Sequence, residues 1–222
     1  MPSRVVPEAI FFDVDGVLID SLAIKGEAFA HAFRDVPDRH DEIVEFHLAH
    51  GGVTRSEKLA LMYQLVYGRA PTPDELEVRL RVFADRVADA VISAPEVRGA
   101  GQALAEWAGR APLHAVSATP SEELVSILNK RGISQFFTSI RGWPPKKVDV
   151  LRGLLYDHGY EPDRCVLVGD SREDLNAAQP NQVRFVQVSS SPQMDMAESA
   201  VVIRDLVGLR TAIESVLRLP KQ

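Results

Sequence analysis

Two aspartates stand two positions apart in Asp13-Val14-Asp15-Gly16-Val17, directly after the apolar run Ala9-Ile10-Phe11-Phe12. Carboxylates at i and i+2, on a chain leaving a strand, can converge on one hard cation such as magnesium, which prefers oxygen donors. A carboxylate can also attack phosphorus to give an acyl phosphate. Its neighbour can then protonate the departing oxygen and later activate water. Gly16 permits a sharp exit from the strand. A solvated Asp-rich turn is the other use of these residues.

Three further polar groups share the position just past an apolar run. Ser117 follows Leu113-His114-Ala115-Val116. Its hydroxyl, with the backbone of Ala118 and the following helix start, could hold a phosphoryl oxygen; serine there can equally end a strand and cap a helix. Lys146 and Lys147 follow Gly142-Trp143-Pro144-Pro145. A lysine can neutralise an attacking carboxylate and the group being transferred. A solvated pair is the alternative, although a cation at a helix start opposes the helix dipole and needs another reason. Gly169-Asp170-Ser171-Arg172-Glu173-Asp174 ends the run Cys165-Val166-Leu167-Val168. Asp170 can complete a metal site with Asp13 and Asp15. Asp174 can orient a metal-bound water or the lysine, and Ser171-x-x-Asp174 also reads as a capping box.

Such groups act together only if strands deliver them to one edge. The apolar runs at 9–12, 113–116, 165–168, 185–188 and 201–203 suit strands buried on both faces. Helical patterns separate them. One is announced by Thr119-Pro120-Ser121-Glu122, a capping box with Thr119 as the cap. Another carries Val148, Leu151, Leu154 and Leu155 and ends near Gly159. Strand–helix alternation predicts an α/β fold: a Rossmann-like parallel sheet with helices on both faces. In such sheets ligands bind at the carboxyl ends of the strands.

Residues 21–94 break this rhythm, with helical periodicity and no strand. Thr54-Arg55-Ser56-Glu57 and Thr72-Pro73-Asp74-Glu75 both look like capping boxes. The expected division is a core of residues 1–20 and 95–222 with an all-helical cap, 21–94, inserted after the first strand. Within it, His50-Gly51-Gly52-Val53-Thr54-Arg55 is a glycine turn feeding a helix start, a local form that can bind anions. Arg55 could hold a second acidic group of a ligand, or be a solvated surface charge. The six histidines show no zinc-ligand spacing and receive no role.

The 222 residues carry a formal charge of −6, with 45% hydrophobic and 25% charged residues. That balance opposes binding to a nucleic-acid backbone or an anionic membrane surface. No apolar run nears the roughly 18 residues of a membrane span, and no secretory leader opens the chain. The lone Cys165 excludes an intrachain disulfide and is expected to be a buried thiol. A cytoplasmic protein, monomer or homodimer, is the expectation.

Taken in order and spacing, the four segments resemble the haloacid dehalogenase superfamily. The insertion after the first motif makes the chain similar to its phosphoglycolate phosphatase and β-phosphoglucomutase branch. The two acidic motifs, about 155 residues apart, are specific as a pair. The resemblance implies Asp13 as nucleophile, Asp15 as acid/base, Ser117 as the phosphate-binding hydroxyl, and Asp170 and Asp174 as the metal-binding acidic motif, with Mg2+ as cofactor. The spacing Gly142-x-Pro144-x-x-Lys147 resembles relatives whose lysine falls at Lys147 rather than Lys146. Superfamily dehalogenases lack the second aspartate, so Asp15 points to phosphoryl transfer. The implied substrate is a small phosphorylated metabolite, and the implied activity a phosphatase. A phosphosugar mutase, or a catalytically idle binding module on this fold, are the alternatives.

Overall fold

Every residue of Ala9–Phe12 is buried, because this strand has neighbours on both edges and helices on both faces. The computed structural model describes residues 6–190, 196 and 201–220. The strands are β1 (Ala9–Phe12), β2 (Leu113–Pro120), β3 (Ser139–Trp143), β4 (Cys165–Gly169), β5 (Arg184–Val188) and β6 (Val202–Ile203). They form one parallel sheet in the order β3-β2-β1-β4-β5-β6. The helices are α1 (Leu22–Ala32), α2 (His40–Ala49), α3 (Arg55–Tyr67), α4 (Pro73–Ser93), α5 (Ala100–Trp107), α6 (Ser121–Lys130), α7 (Lys147–His158), α8 (Arg172–Ala178) and α9 (Leu209–Val216).

Alternation along β1 divides the core. Ile10 and Phe12 join one cluster with Leu104, Trp107, Leu124, Leu128 and Ile213 from α5, α6 and α9. Ala9 and Phe11 join the other with Leu151, Leu154 and Leu175 from α7 and α8. Period-two side-chain direction makes both faces of the strand apolar. Cys165 is fully buried there, which pushes its thiol up to about 12. No helix among the described residues is long and apolar enough to cross a membrane.

Between β1 and α5 the chain forms α1–α4 and no named strand. Phe29, Phe33, Ile43, Leu59, Met62 and Phe83 from these helices belong to the same apolar cluster as the α5–α6–α9 face of the sheet. The chain leaves and returns side by side: Asp20 N–H donates to Pro95 O (2.9 Å) and Val97 N–H to Leu18 O (3.0 Å). Arg131, just past α6, donates to the carbonyls of Val91, Ile92 and Ala94. It thereby satisfies acceptors that the end of α4 would leave open.

Two local expectations need correction. The strand β3 has no apolar run to announce it. As the sheet edge its residues are only partly covered, so Ser-Ile-Arg-Gly-Trp carries little pattern. The capping box expected at Thr119 does not form. Strand β2 continues to Pro120, α6 begins at Ser121 without a side-chain cap, and Thr119 is used elsewhere.

Candidate active site

Register brings the polar groups to one level. Phe12 pairs with Ala115 on one side and Val168 on the other. The residues just beyond these partners are therefore neighbours: Asp13 after β1, Ser117 in β2 and Asp170 after β4. Asp13 N–H extends the ladder to Val168 O at 2.9 Å. The Asp13 side chain is 6% exposed. Its Oδ1 accepts from Val14 N–H at 2.7 Å, and Lys147 Nζ stands 3.1 Å from its Oδ2. Burial pushes its pKa up to about 7, against the pull of Lys147 and with the push of Asp174 and Asp15.

Lys147 is the first residue of α7, and its ammonium bridges Asp13 Oδ2 and Asp174 Oδ1 (2.5 Å). Burial disfavours the ammonium, but the two carboxylates outweigh it and hold its pKa above the usual lysine value. This is the compensation its place at a helix start required. Lys146, the N-cap position, is exposed. Asp174 is fully buried and doubly engaged. Its Oδ2 accepts from Ser171 N–H (3.0 Å) and Ser171 Oγ (2.5 Å), closing a reciprocal capping box at α8. Helix capping and lysine placement are thus one arrangement.

Oxygens of Asp13, Asp170 and Asp174 lie within 4.8 Å of one another. Burial first, then Asp13 and Asp174, raise the Asp170 carboxyl well above its ordinary pKa. Two buried carboxylates and one partly buried, facing one lysine, are a hard-oxygen donor set short of positive charge, and that fits a divalent cation. Gly16 lets the loop come this close: its φ is +79°, and a Cβ there would fall 2.3 Å from Asp170 Oδ2.

Asp15 belongs to a different network. Ser21 Oγ donates to its Oδ1 at 2.6 Å, Thr119 Oγ1 donates to its Oδ2 at 3.0 Å, and Lys25 Nζ pairs with Oδ2 at 2.6 Å. Lys25 also donates to Thr119 Oγ1 at 3.1 Å. Burial pushes this carboxyl up, but Lys25 and the hydroxyls outweigh it and hold it at about 2. The side chain that joins Asp13 and Asp170 in the acidic cluster is therefore Asp174, while the Asp15 carboxylate faces α1.

Asp13, Asp15, Ser117, Ala118 and Asp170 line a cavity of about 60 Å3, closed on the other side by Lys25, His47, Arg55 and Lys58. Ser117 is buried, and its Oγ accepts from Thr119 N–H at 3.1 Å. A larger recess of about 280 Å3 adjoins it past Ala118 and Lys147, beside Trp143. Arg55 borders the cavity, but its guanidinium is committed. Nη2 donates to both Glu123 oxygens of α6 (2.7 and 2.8 Å), and the group stacks on Phe83. The glycine turn before it serves contact: Gly52 has φ +75°, and a Cβ there would meet Glu173 Cβ at 2.5 Å. The turn seats the helical insertion on the acidic loop.

Sequence reasoning named Asp13, Asp15, Ser117, Lys147, Asp170 and Asp174, and the structure gathers all six at one end of the sheet. It missed Lys25, His47, Lys58, Ser21 and Thr119. Thr119 was legible only as a cap, and nothing in the helical periodicity of residues 22–67 marks which polar side chains turn inward.

The sequence model of haloacid dehalogenase-like hydrolases matches residues 7–180. A curated relative, the chloroplastic 5-amino-6-(5-phospho-D-ribitylamino)uracil phosphatase of Arabidopsis thaliana, is 29% identical over 103 residues, 43% of this chain; the match spans only 27% of that enzyme's length. Solved structures share the fold. A haloacid dehalogenase-like family protein of Streptococcus pneumoniae superposes with a TM-score of 0.74 at 19% identity, over 92% of this chain and 97% of its own. A predicted phosphoglycolate phosphatase of Haemophilus somnus gives 0.76 at 20%, over 92% and 96%. CbbY of Rhodobacter sphaeroides, solved with xylulose-(1,5)bisphosphate, gives 0.70 at 21%, over 91% and 96%. With the family match covering most of its length, the chain belongs to the haloacid dehalogenase-like hydrolases.

Proposed function

We propose that this hydrolase is a magnesium-dependent phosphatase that cleaves a small-molecule phosphate monoester through an aspartyl phosphate on Asp13. The observation that carries the reading is the state of Asp13. It is a buried carboxylate at a strand end, with one oxygen fixed by a backbone N–H and the other beside Lys147, opening onto a cavity shared with Ser117.

In this reading an Asp13 oxygen attacks phosphorus, and the ester oxygen leaves with a proton from Asp15. Water then attacks the acyl phosphate, gives its proton to Asp15, and releases phosphate and free Asp13. Lys147 and the Ser117 hydroxyl neutralise the phosphoryl oxygens. Asp174 holds Lys147 at Asp13. Lys25 and the two hydroxyls favour the ionised form of Asp15, the form that accepts the proton from water; as the acid it must first exchange Lys25 for a proton. Carboxylates of Asp13 and Asp170 would hold the metal, with Asp174 behind them. A bound magnesium ion supplies positive charge that offsets the carboxylate repulsion and polarises the phosphoryl group.

Residues 21–94 act as the cap in this proposal, over a core of 1–20 and 95–222, and exclude bulk water. Arg55 contributes by clasping cap to core through Glu123. The chain acts in the cytoplasm on a small phosphorylated metabolite. The test is phosphate release from p-nitrophenyl phosphate with and without EDTA. Activity that vanishes with chelation and returns with magnesium is expected, and full activity in metal-free buffer overturns the metal assignment.

A further inference from the structure

Of the cations that line the cavity, Lys25 pairs with Asp15 and Arg55 with Glu123. Lys58 has no carboxylate within ion-pair distance among the described residues, although it is only 3% exposed. Among the described residues its Nζ hydrogen-bonds to His47 alone: the ring Nδ1 at 3.0 Å and the carbonyl at 3.5 Å. The other ring nitrogen, Nε2, lies 3.1 Å from Leu22 O. That carbonyl can only accept, so Nε2 carries the hydrogen and Nδ1 accepts from the ammonium. His47 is thereby a neutral ligand that aims the ammonium and cannot balance its charge. Phe29 backs the ammonium, with the ring centroid 5.4 Å from Nζ. Burial and the neighbouring Lys25 lower the Lys58 pKa to about 8, against the pull of Asp15 and Asp170 across the cavity, which favours its charged form at neutral pH.

A buried ammonium with no directly paired carboxylate is better satisfied when an anion arrives beside it. Two of its three donors are directed to the ring and the carbonyl of His47, so one remains for a ligand. The cavity it lines is the one that holds Asp13, and about 60 Å3 admits only a short group, on the scale of a few waters. We infer that Lys58, aimed by His47, is the subsite for a second anionic group of the substrate, a carboxylate or second phosphate a short spacer away from the phosphate that is cleaved. Lys58 and His47 are then specificity-determining residues, and the inference rests on the phosphatase reading above.

The experiment measures kcat and KM for wild type and Lys58→Met on ethyl phosphate, 2-phosphoglycolate and ethylene glycol bisphosphate. Wild type should prefer at least one of the two diacids over ethyl phosphate, and which one identifies the anion. Lys58→Met should shrink that preference about tenfold or more, chiefly through KM, as loss of a charge-assisted contact predicts. Its Tm should equal or exceed that of wild type, because a charge without a partner has been replaced by an apolar chain; Lys58→Gln repeats the comparison if the methionine variant is insoluble. A wild type without preference, a preference that survives the substitution, or an equal loss on all three esters overturns the subsite. Failure of wild type on these esters and on p-nitrophenyl phosphate would instead overturn the phosphatase reading. The subsite is then judged by sulfoacetate, which must raise the Tm of wild type and not of Lys58→Met.

Discussion

The two walls of the cavity carry opposite charge. The sheet contributes Asp13, Asp15 and Asp170, backed by Asp174, against one lysine, Lys147. The helical insertion contributes Lys25, Arg55 and Lys58 with a neutral histidine. Both walls are buried or half-buried, so water relieves little of either charge. The sheet wall raises the proton affinity of Asp13, to about 7, and of Asp170, whereas Lys25 and two hydroxyls hold Asp15 at about 2. The insertion wall lowers that of its bases, Lys58 to about 8 and His47 to about 3. Each wall is thus incomplete in the opposite sense: one calls for a cation, the other for an anion. A metal and a multiply charged phosphate ester satisfy both at once. The contrast also separates chemistry from selection, since the sheet side holds the groups that can react and the insertion side the groups that can recognise.

The largest effect should come from the sheet wall. Asp13→Asn keeps the shape and removes the nucleophile, so kcat on p-nitrophenyl phosphate should fall by at least about a thousandfold. Its Tm in metal-free buffer should not drop, because one of several repelling buried carboxylates is gone. Retention of more than about a hundredth of wild-type activity would contradict covalent catalysis at Asp13.

The insertion wall should reveal itself in acid. Burial, then Lys58 and Lys25, depress the His47 pKa from 6.5 to about 3. The unfolded chain takes up this proton from about pH 6.5 downward, while the folded chain refuses it until about pH 3. Stability is therefore fully present above pH 6.5 and is lost as pH falls toward 3, by up to about 1.4 kcal/mol per unit. His114, held at about 4 chiefly by burial, adds a loss of the same sign. Replacing His47 by Gln should make the decline of Tm between pH 6.5 and 4 shallower than in wild type. An identical slope in the two proteins would show that His47 is not held neutral by its surroundings.

The smallest effect concerns the join between the walls. Arg55 and Glu123 are 14% and 25% exposed, and their pairing should be worth on the order of 1 kcal/mol in a double-mutant cycle of stability. Arg55→Ala should lower kcat/KM a few-fold, and equally for ethyl phosphate and 2-phosphoglycolate, because it loosens closure without touching the second anion. A loss confined to phosphoglycolate would return Arg55 to direct contact with substrate and weaken the special place of Lys58.

Much of this was legible from the chain alone. Buried parallel strands are continuous apolar runs, so β1, β2, β4 and β5 declared themselves, and with them the residues at their ends: Asp13, Asp15, Ser117, Asp170. The alternation with helices announced a parallel sheet, and the break in that alternation exposed the helical stretch; the strand order came only from the structure. The edge strand β3 escaped because partial burial demands no apolar pattern. Thr119 was read as a cap because Thr-Pro-Ser-Glu satisfies a local rule; only the arrival of Asp15, 104 positions away in sequence, puts its hydroxyl to other use. Arg55 was read as a holder of a second acidic group or a solvated surface charge; its partner Glu123 lies on another element and no spacing points to it.

The sequence by itself determined the groups proposed to react, since these lie within a residue or two of strands whose burial any reader of hydrophobicity can find. The tertiary structure alone decided which charges meet. Lys25, His47 and Lys58 sit on helices whose polar residues are equally plausible on a solvated face. Whether such a side chain meets water or a buried cavity depends on how α1, α2 and α3 pack on one another and on the sheet, and that packing is the sum of many non-local contacts that no single segment encodes.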